Sequence, residues 1–226
     1  MLDYQGMEAK IKRLNKSLSS AHNDVRLAHI LNKFRENVLI TTSFGTTSAL
    51  LIHMISRIRP EHPIHFINTG YLFPETIEYK NLLIEKYGVN IIDHRPDEEK
   101  HQITQKEEMW KVDQDLCCNY NKAEPLDKIK GEKDYKIWIS GLIGYQNSYR
   151  SGLNFVQKKK NIYRFYPLID WSPEMVDEYF DDYQLPRHPL EGFGFDSIGC
   201  THCTVKGEQR AGRWNDSGKT ECGLHL

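Results

Sequence analysis

One stretch constrains the fold more than any other: Asn37-Val-Leu-Ile-Thr-Thr runs straight into Ser43-Phe-Gly-Thr-Thr-Ser and then into Ala49-Leu-Leu-Ile-His-Met-Ile. A short apolar run rich in β-branched residues reads as a buried strand, small hydroxyl residues as a tight turn, and the longer apolar run as a helix. Ile64-His-Phe-Ile repeats the strand and ends at Asn68-Thr-Gly, after which Pro74 opens a helix through Tyr87. Val89-Asn-Ile-Ile and Lys136-Ile-Trp-Ile-Ser add two more strands. Strands alternating with helices are βαβ units, so the chain is expected to be α/β, with a mostly parallel twisted sheet and helices on both faces.

The flanks read differently. Residues 5 to 35 carry apolar positions near helical spacing and predict two amphipathic helices capping the main body. Residues 154 to 166 suggest a short hairpin around Lys158-Lys-Lys-Asn, and Ser172-Pro-Glu predicts a helix start with Ser at the cap and Pro in the first turn. Past Pro186 the periodicity dissolves into Gly, Cys, His and Arg. Order there must come from a ligand, a cofactor or docking on the core.

Hydrophobic residues make up 39% of the 226 residues and charged residues 27%, enough apolar material for a sizeable core. The formal net charge is −1, so no global field recruits a nucleic acid or an anionic membrane, and neither is expected as a partner. An anionic ligand would have to be held by local cations. With no stretch of membrane-spanning length and no signal-peptide core at Met1-Leu-Asp-Tyr, the cytoplasm is the expected compartment. Five cysteines, an odd number, fit metal or thiol chemistry better than a disulfide framework.

The turn at Ser43, Gly45 and Ser48, between a strand and a helix, can offer backbone N–H groups, two hydroxyls and the positive helix end to a phosphate. It lacks the Gly-Lys-Ser/Thr ending of a Walker loop, and the same residues suit any tight βα turn. Four cysteines form two pairs, Cys117-Cys118 and Cys200-x-x-Cys203. Soft thiolates suit zinc or an iron–sulfur cluster, and adjacent cysteines are awkward for a zinc knuckle, which favours a cluster; small buried thiols are the bland alternative. The fifth, Cys222 in Glu-Cys-Gly-Leu-His, has the setting of a nucleophile on a mobile tail, or of an incidental tail cysteine.

The ending Glu-Cys-Gly-Leu-His resembles the active-site signature of the sulfonucleotide reductases, which reduce adenosine 5′-phosphosulfate or its 3′-phosphorylated form to sulfite. The resemblance extends from about Val38 to the C-terminus, through the Ser43 loop, Asn68 to Thr76, Trp138-Ile-Ser-Gly-Leu, Pro167-Leu-Ile-Asp-Trp, His188-Pro-Leu, Ser197-Ile-Gly-Cys and Gly207-Glu-Gln-Arg-Ala-Gly-Arg-Trp. It implies an adenine nucleotide alpha hydrolase-like fold in one structural domain, with a helical cap at 1–36, a nucleotide-binding body at 37–199 and a C-terminal segment at 200–226. It implies Cys222 and His225 as catalytic residues, and Ser43, Gly45, Thr47, Ser48, Thr69, Gly70, Lys122, Arg210 and Arg213 as substrate-binding residues. The two cysteine pairs resemble the subclass that holds a four-iron four-sulfur cluster on Cys117, Cys118, Cys200 and Cys203 and uses adenosine 5′-phosphosulfate, with thioredoxin or a similar thiol as reductant. A homo-oligomer is compatible with the sequence.

The chain departs from the family pattern in two places. After Trp138-Ile-Ser-Gly-Leu the family usually continues Arg-Arg-Asp/Glu-Gln-Ser-x-x-Arg, whereas this chain reads Ile143-Gly-Tyr-Gln-Asn-Ser-Tyr-Arg; Gln146 and Arg150 survive and the paired arginines do not. Asn121 also stands where a second basic residue commonly precedes the lysine. The readings carried forward are an adenylyl-sulfate reductase, a reductase of the 3′-phosphorylated substrate, an ATP pyrophosphatase of a thiolation or amidation pathway, and a nonenzymatic sensor.

Overall fold

The computed structural model describes residues 4–214, 217, 219 and 221–225. Six strands, β1 (Val38–Thr42), β2 (Ile64–Ile67), β3 (Ile91–His94), β4 (Ile137–Ser140), β5 (Val156–Lys159) and β6 (Ile162–Phe165), form one sheet in the order β3-β2-β1-β4-β6-β5. All neighbours are parallel except β5, which pairs antiparallel with β6 as the predicted hairpin. The third strand begins at Ile91, two residues after the start of its apolar run, and the Asn90 carbonyl just before it accepts the Ile64 N–H at 2.8 Å.

The helices are α1 (Tyr4–Ser19), α2 (Asn23–Phe34), α3 (Ser48–Ile58), α4 (Pro74–Tyr87), α5 (Glu98–Lys106), α6 (Met109–Val112), α7 (Gln114–Cys118), α8 (Glu124–Glu132), α9 (Ser148–Ser151) and α10 (Pro173–Asp182). Ser172 accepts the Met175 N–H ahead of Pro173, the cap that the sequence predicts for α10. Side chains alternate across β1, so Val38 and Ile40 face one layer and Leu39 the other. The first layer is the main core, built from Leu27, Ile30 and Leu31 of α2, the apolar face of α3, Tyr79 and Leu83 of α4, and Val176 and Phe180 of α10. Leu126 and Ile129 of α8 cover the opposite face over Leu39 and Trp138. Helices therefore lie on both faces, and the α/β expectation holds.

The N-terminal helices join the same core. Asn15 of α1 exchanges hydrogen bonds with both backbone groups of Val156 (2.8 and 3.0 Å), which covers part of the edge strand. Residues 95–135 hold four helices that apolar periodicity does not mark; α5 buries only Thr104, and side-chain caps from Asp97 and Asp113 start α5 and α7. Between α7 and α8 the chain widens into a π-helical turn, Asn119–Ala123. Trp171 and Trp214 are buried. Among the described residues no helix is long and apolar enough to cross a membrane.

Candidate active site

Three strand ends open onto one cavity. Thr41 and Thr42 of β1, Ile67 of β2 and Ser140 of β4 line it. The strand order reverses between β1 and β4, and the carboxyl ends of strands at such a switch point are where open α/β sheets bind ligands. The loop after β1 forms the floor: Ser43, Gly45, Thr46, Thr47 and Ser48 all line it, and the Ser48 N–H turns back to the Gly45 carbonyl at 3.0 Å. The N-cap residue Thr47 makes no side-chain cap at the first turn of α3, so the positive end of the helix faces the cavity without one. Thr46 instead donates to the Asp196 carbonyl (2.8 Å), tying the loop to the C-terminal segment.

Of the residues that the resemblance nominates, Ser43, Gly45, Thr47, Ser48, Thr69, Lys122, Arg210, Arg213, Cys222 and His225 are brought together in this cavity. Gly70 is not among its lining residues; it is exposed at φ 77°, packed against the His101 ring. Cys117, Cys118, Cys200 and Cys203 gather around a second, small cavity with Tyr71, Trp110 and His202. Lys122 lines both cavities and forms the wall between them.

The electrostatics are dominated by cations. Burial works against the Lys122 ammonium, but the thiols of Cys200, Cys118 and Cys222 around it prevail and raise its pKa. Burial and the neighbouring Arg150 push Arg210 down to about 10, which leaves it charged at neutral pH. Arg213 is buried and anchored to the Ile198 carbonyl (3.1 Å), with Cys203 O and Ser197 Oγ each at 3.4 Å. Arg150 enters from α9.

Ile143 and Gly144 do not line the cavity. Ile143 is in the core, and Gly144 packs so tightly that a Cβ would lie 2.5 Å from the Ile169 carbonyl oxygen. The departure from the family pattern is thus a turn of this segment into the protein, which leaves Gln146 and Arg150 as its contribution to the site. Asn121, at the position where the family commonly has a second basic residue, is a buried brace: it bonds His101 Nδ1 (2.7 Å), Thr104 Oγ1 (3.1 Å) and the Cys117 carbonyl (2.9 Å).

The C-terminal tail lies in the site. His225 stacks on Trp138 (centroids 4.9 Å, 13°), and its carbonyl accepts from Tyr149 Oη (2.6 Å) and Arg164 Nη1 (2.7 Å). Burial together with Arg150, Arg164, Arg210 and Lys130 holds its pKa well below the usual histidine range, so the ring beside Cys222 is neutral. With the tail in place the cavity measures about 190 Å³, below the roughly 300–1,000 Å³ typical of small-molecule pockets. One participant, Glu221, is buried among arginines and is marked in the sequence by nothing beyond its place beside Cys222.

The four paired thiols are chemically suited to an iron–sulfur cluster. All are free and buried; Thr69 Oγ1 lies 3.3 Å from Cys200 Sγ and Asn121 Nδ2 3.7 Å from Cys117 Sγ. Burial raises the Cys117 thiol to about 12, while Lys122, Thr69 and Arg213 outweigh burial at Cys200 and lower it. Among the described residues no three His, Cys, Asp or Glu side chains close on a single ion. A polynuclear cluster spreads its ligands more widely, and soft thiolates lining a small enclosed cavity fit one.

Residues 37–206 match the phosphoadenosine phosphosulfate reductase domain family. The chain is 31% identical to the adenosine 5′-phosphosulfate reductase of Halalkalibacterium halodurans, covering 98% of this chain and 99% of that one. It is 34% identical to the phosphoadenosine 5′-phosphosulfate reductase of Xanthomonas euvesicatoria pv. vesicatoria, over 94% and 91%. Its fold is similar to the crystal structure of phosphoadenylyl-sulfate reductase from Candida auris in a phosphate complex, with a TM-score of 0.76, 24% identity and coverage of 91% and 98%. Candida glabrata FMN adenylyltransferase shares the fold more distantly, with a TM-score of 0.62, 15% identity and coverage of 88% and 67%. With relatives matched over nearly their full length, the chain belongs to the sulfonucleotide reductase family, whose members reduce adenosine 5′-phosphosulfate or its 3′-phosphorylated form.

Proposed function

We propose that this protein reduces adenosine 5′-phosphosulfate to sulfite and AMP through Cys222. The observation that carries this reading is the placement of Cys222 in the same cavity as the Ser43–Ser48 loop, Lys122, Arg210 and Arg213. The Cys222 thiol gives up its proton to solvent, and the thiolate attacks the sulfur of the phosphosulfate. A sulfur–sulfur bond forms, the sulfur–oxygen bond to phosphate breaks, and AMP leaves with that electron pair. The cations offset the negative charge that gathers as a thiolate meets a dianion, the kind of preorganised stabilisation that dominates many catalysed reactions.

A protein dithiol of the thioredoxin type then attacks Cys222 Sγ. Sulfite departs with the electrons of the sulfur–sulfur bond, and the second thiol of the reductant closes its own disulfide and restores Cys222. The dithiol thus supplies two electrons. Cys117, Cys118, Cys200 and Cys203 would hold a four-iron four-sulfur cluster, which when bound supplies polarisable charge beside Lys122. His225 serves by position, its neutral ring anchoring the tail on Trp138.

The test is anaerobic incubation of the purified protein with adenosine 5′-phosphosulfate and no reductant, followed by mass spectrometry. A sulfonate adduct on Cys222 with matching AMP release is expected. An adduct formed only with the 3′-phosphorylated substrate would move the assignment to that substrate, and a bare thiol with both would end the reductase reading.

A further inference from the structure

Glu221 is 1% exposed, the residue immediately before the nucleophile, and it sits among cations. Its Oε1 accepts from Arg150 Nε (2.5 Å) and Asn147 Nδ2 (2.9 Å), and its Oε2 from Arg150 Nη2 (3.1 Å) and Arg210 Nη2 (3.2 Å). Arg150 is itself fixed by Gln146 Oε1, and Asn147 caps α9 by accepting the Arg150 N–H (2.8 Å). Tyr149, the residue before Arg150 in α9, holds the His225 carbonyl. One short segment, 146–150, therefore grips the tail on both sides of Cys222. A carboxylate so fully removed from water persists only where its charge and both oxygens are satisfied, as they are here.

We infer that Glu221 is a positioning residue: its bonds to Arg150, Arg210 and Asn147 set Cys222 over the phosphate loop, and its charge, by occupying those arginines, restrains the affinity of the cavity for nucleotide anions. This rests on the function proposed above and adds the element that docks its nucleophile. The two effects act in opposite directions on two measurable quantities. Removing the charge releases the tail and slows transfer to Cys222, while it frees arginine donors for an anion and tightens nucleotide binding. General loss of structure would weaken both.

The experiment compares the full-length wild type with Glu221→Gln, which keeps the shape and loses the charge, and Glu221→Asp, which keeps the charge and shortens the reach. Three readouts are taken: single-turnover formation of the Cys222 adduct, AMP affinity by calorimetry, and hydrogen exchange of the C-terminal peptide. For Glu221→Gln, adduct formation should slow by about 30-fold or more and AMP should bind about 5-fold tighter, magnitudes of one or two charge-assisted hydrogen bonds. Its tail amides should exchange faster than wild type. Glu221→Asp should keep wild-type AMP affinity with a reduced transfer rate.

Wild-type tail protection and transfer rate in Glu221→Gln would overturn the proposal. So would AMP affinity that falls together with the rate. Should wild type form no adduct with either sulfonucleotide, the reductase reading fails, and the exchange and AMP measurements still decide whether Glu221 docks the tail and restrains the arginines.

Discussion

Arg213 crosses Gly199 so closely that a Cβ on the glycine would lie 2.1 Å from Nη2 and 2.5 Å from Cζ of the guanidinium. The glycine is the seat of the arginine. Arg213 has little freedom to yield, since it is anchored to Ile198 O, Cys203 O and Ser197 Oγ and lies 4.6 Å over the Trp214 ring. Gly199→Ala should therefore move Arg213 and leave the fold standing. AMP binding by calorimetry should weaken about 10-fold, the order of one lost charge-assisted contact. Wild-type affinity in that variant would mean Arg213 takes no part in holding the nucleotide.

Restoring an arginine at position 144 should not restore a family-like site. The 2.5 Å approach to the Ile169 carbonyl leaves no room for any Cβ, and the Gly144 N–H is bonded to that same oxygen at 3.0 Å. Gly144→Arg is expected to lower stability by about 1–3 kcal/mol or more, the usual cost of overpacking, with no gain in transfer rate. Urea unfolding midpoints alongside single-turnover rates would check this, and a faster variant of unchanged midpoint would refute it.

Lys122 faces the thiol cavity on one side and the nucleotide cavity on the other, so its replacement should register in both. Lys122→Met should reduce adduct formation on Cys222 by about 100-fold, comparable to loss of one preorganised electrostatic donor. It should also raise the reactivity threshold of the Cys200 thiol, which Lys122 helps to lower. Labelling of Cys200 in metal-free protein against pH would show its ionisation midpoint moving upward.

Acid should loosen the fold well before carboxylates titrate. Burial lowers both His65 and His188 to about 4, from an ordinary value of 6.5. Each is neutral in the folded protein and takes up a proton on unfolding below pH 6.5, so the unfolded state binds more protons between about 6.5 and 4. Stability is then fully present above pH 6.5 and declines as pH falls through that window, by up to about 1.4 kcal/mol per pH unit for each histidine. His188 bonds Thr76 Oγ1 (3.1 Å) and the Leu190 N–H (3.2 Å) in the core, so His188→Asn should flatten the slope of urea midpoint against pH. A flat wild-type profile between pH 6.5 and 4.5 would contradict it.

The sheet was legible because its central strands are buried on both faces, and β1, β2 and β4 read as continuous apolar runs. The Ser43 loop, Lys122, Arg210, Arg213 and Cys222 were legible from a resemblance in ordered motifs, and the fold brings them together. The helices between residues 95 and 135 were not, since α5 is largely exposed and owes its place to a cap and to the Asn121 brace. Glu221 was hidden for another reason: a glutamate reads as solvated surface unless its cations are known, and Arg150 lies 71 positions away. Ile143 and Gly144 read as lost charges in the sequence, and only the backbone shows them turned away from the site.

From Gln114 to Glu132 the chain is helical throughout, with a single widened turn at Asn119–Ala123 between Cys118 and α8. A π turn differs from an α turn by one additional residue, and each residue of an α-helix advances about 100° around the axis. Excising one residue from this turn would make a continuous rod and rotate the cysteine pair by roughly a quarter to a third of a circle relative to α8. Asn121 and Lys122, now aimed respectively into the packing beside Thr104 and into the shared wall, could not both keep their directions. The register of a single turn thus phases the thiol pair against the lysine, and a one-residue change of length there would unlink the two sites.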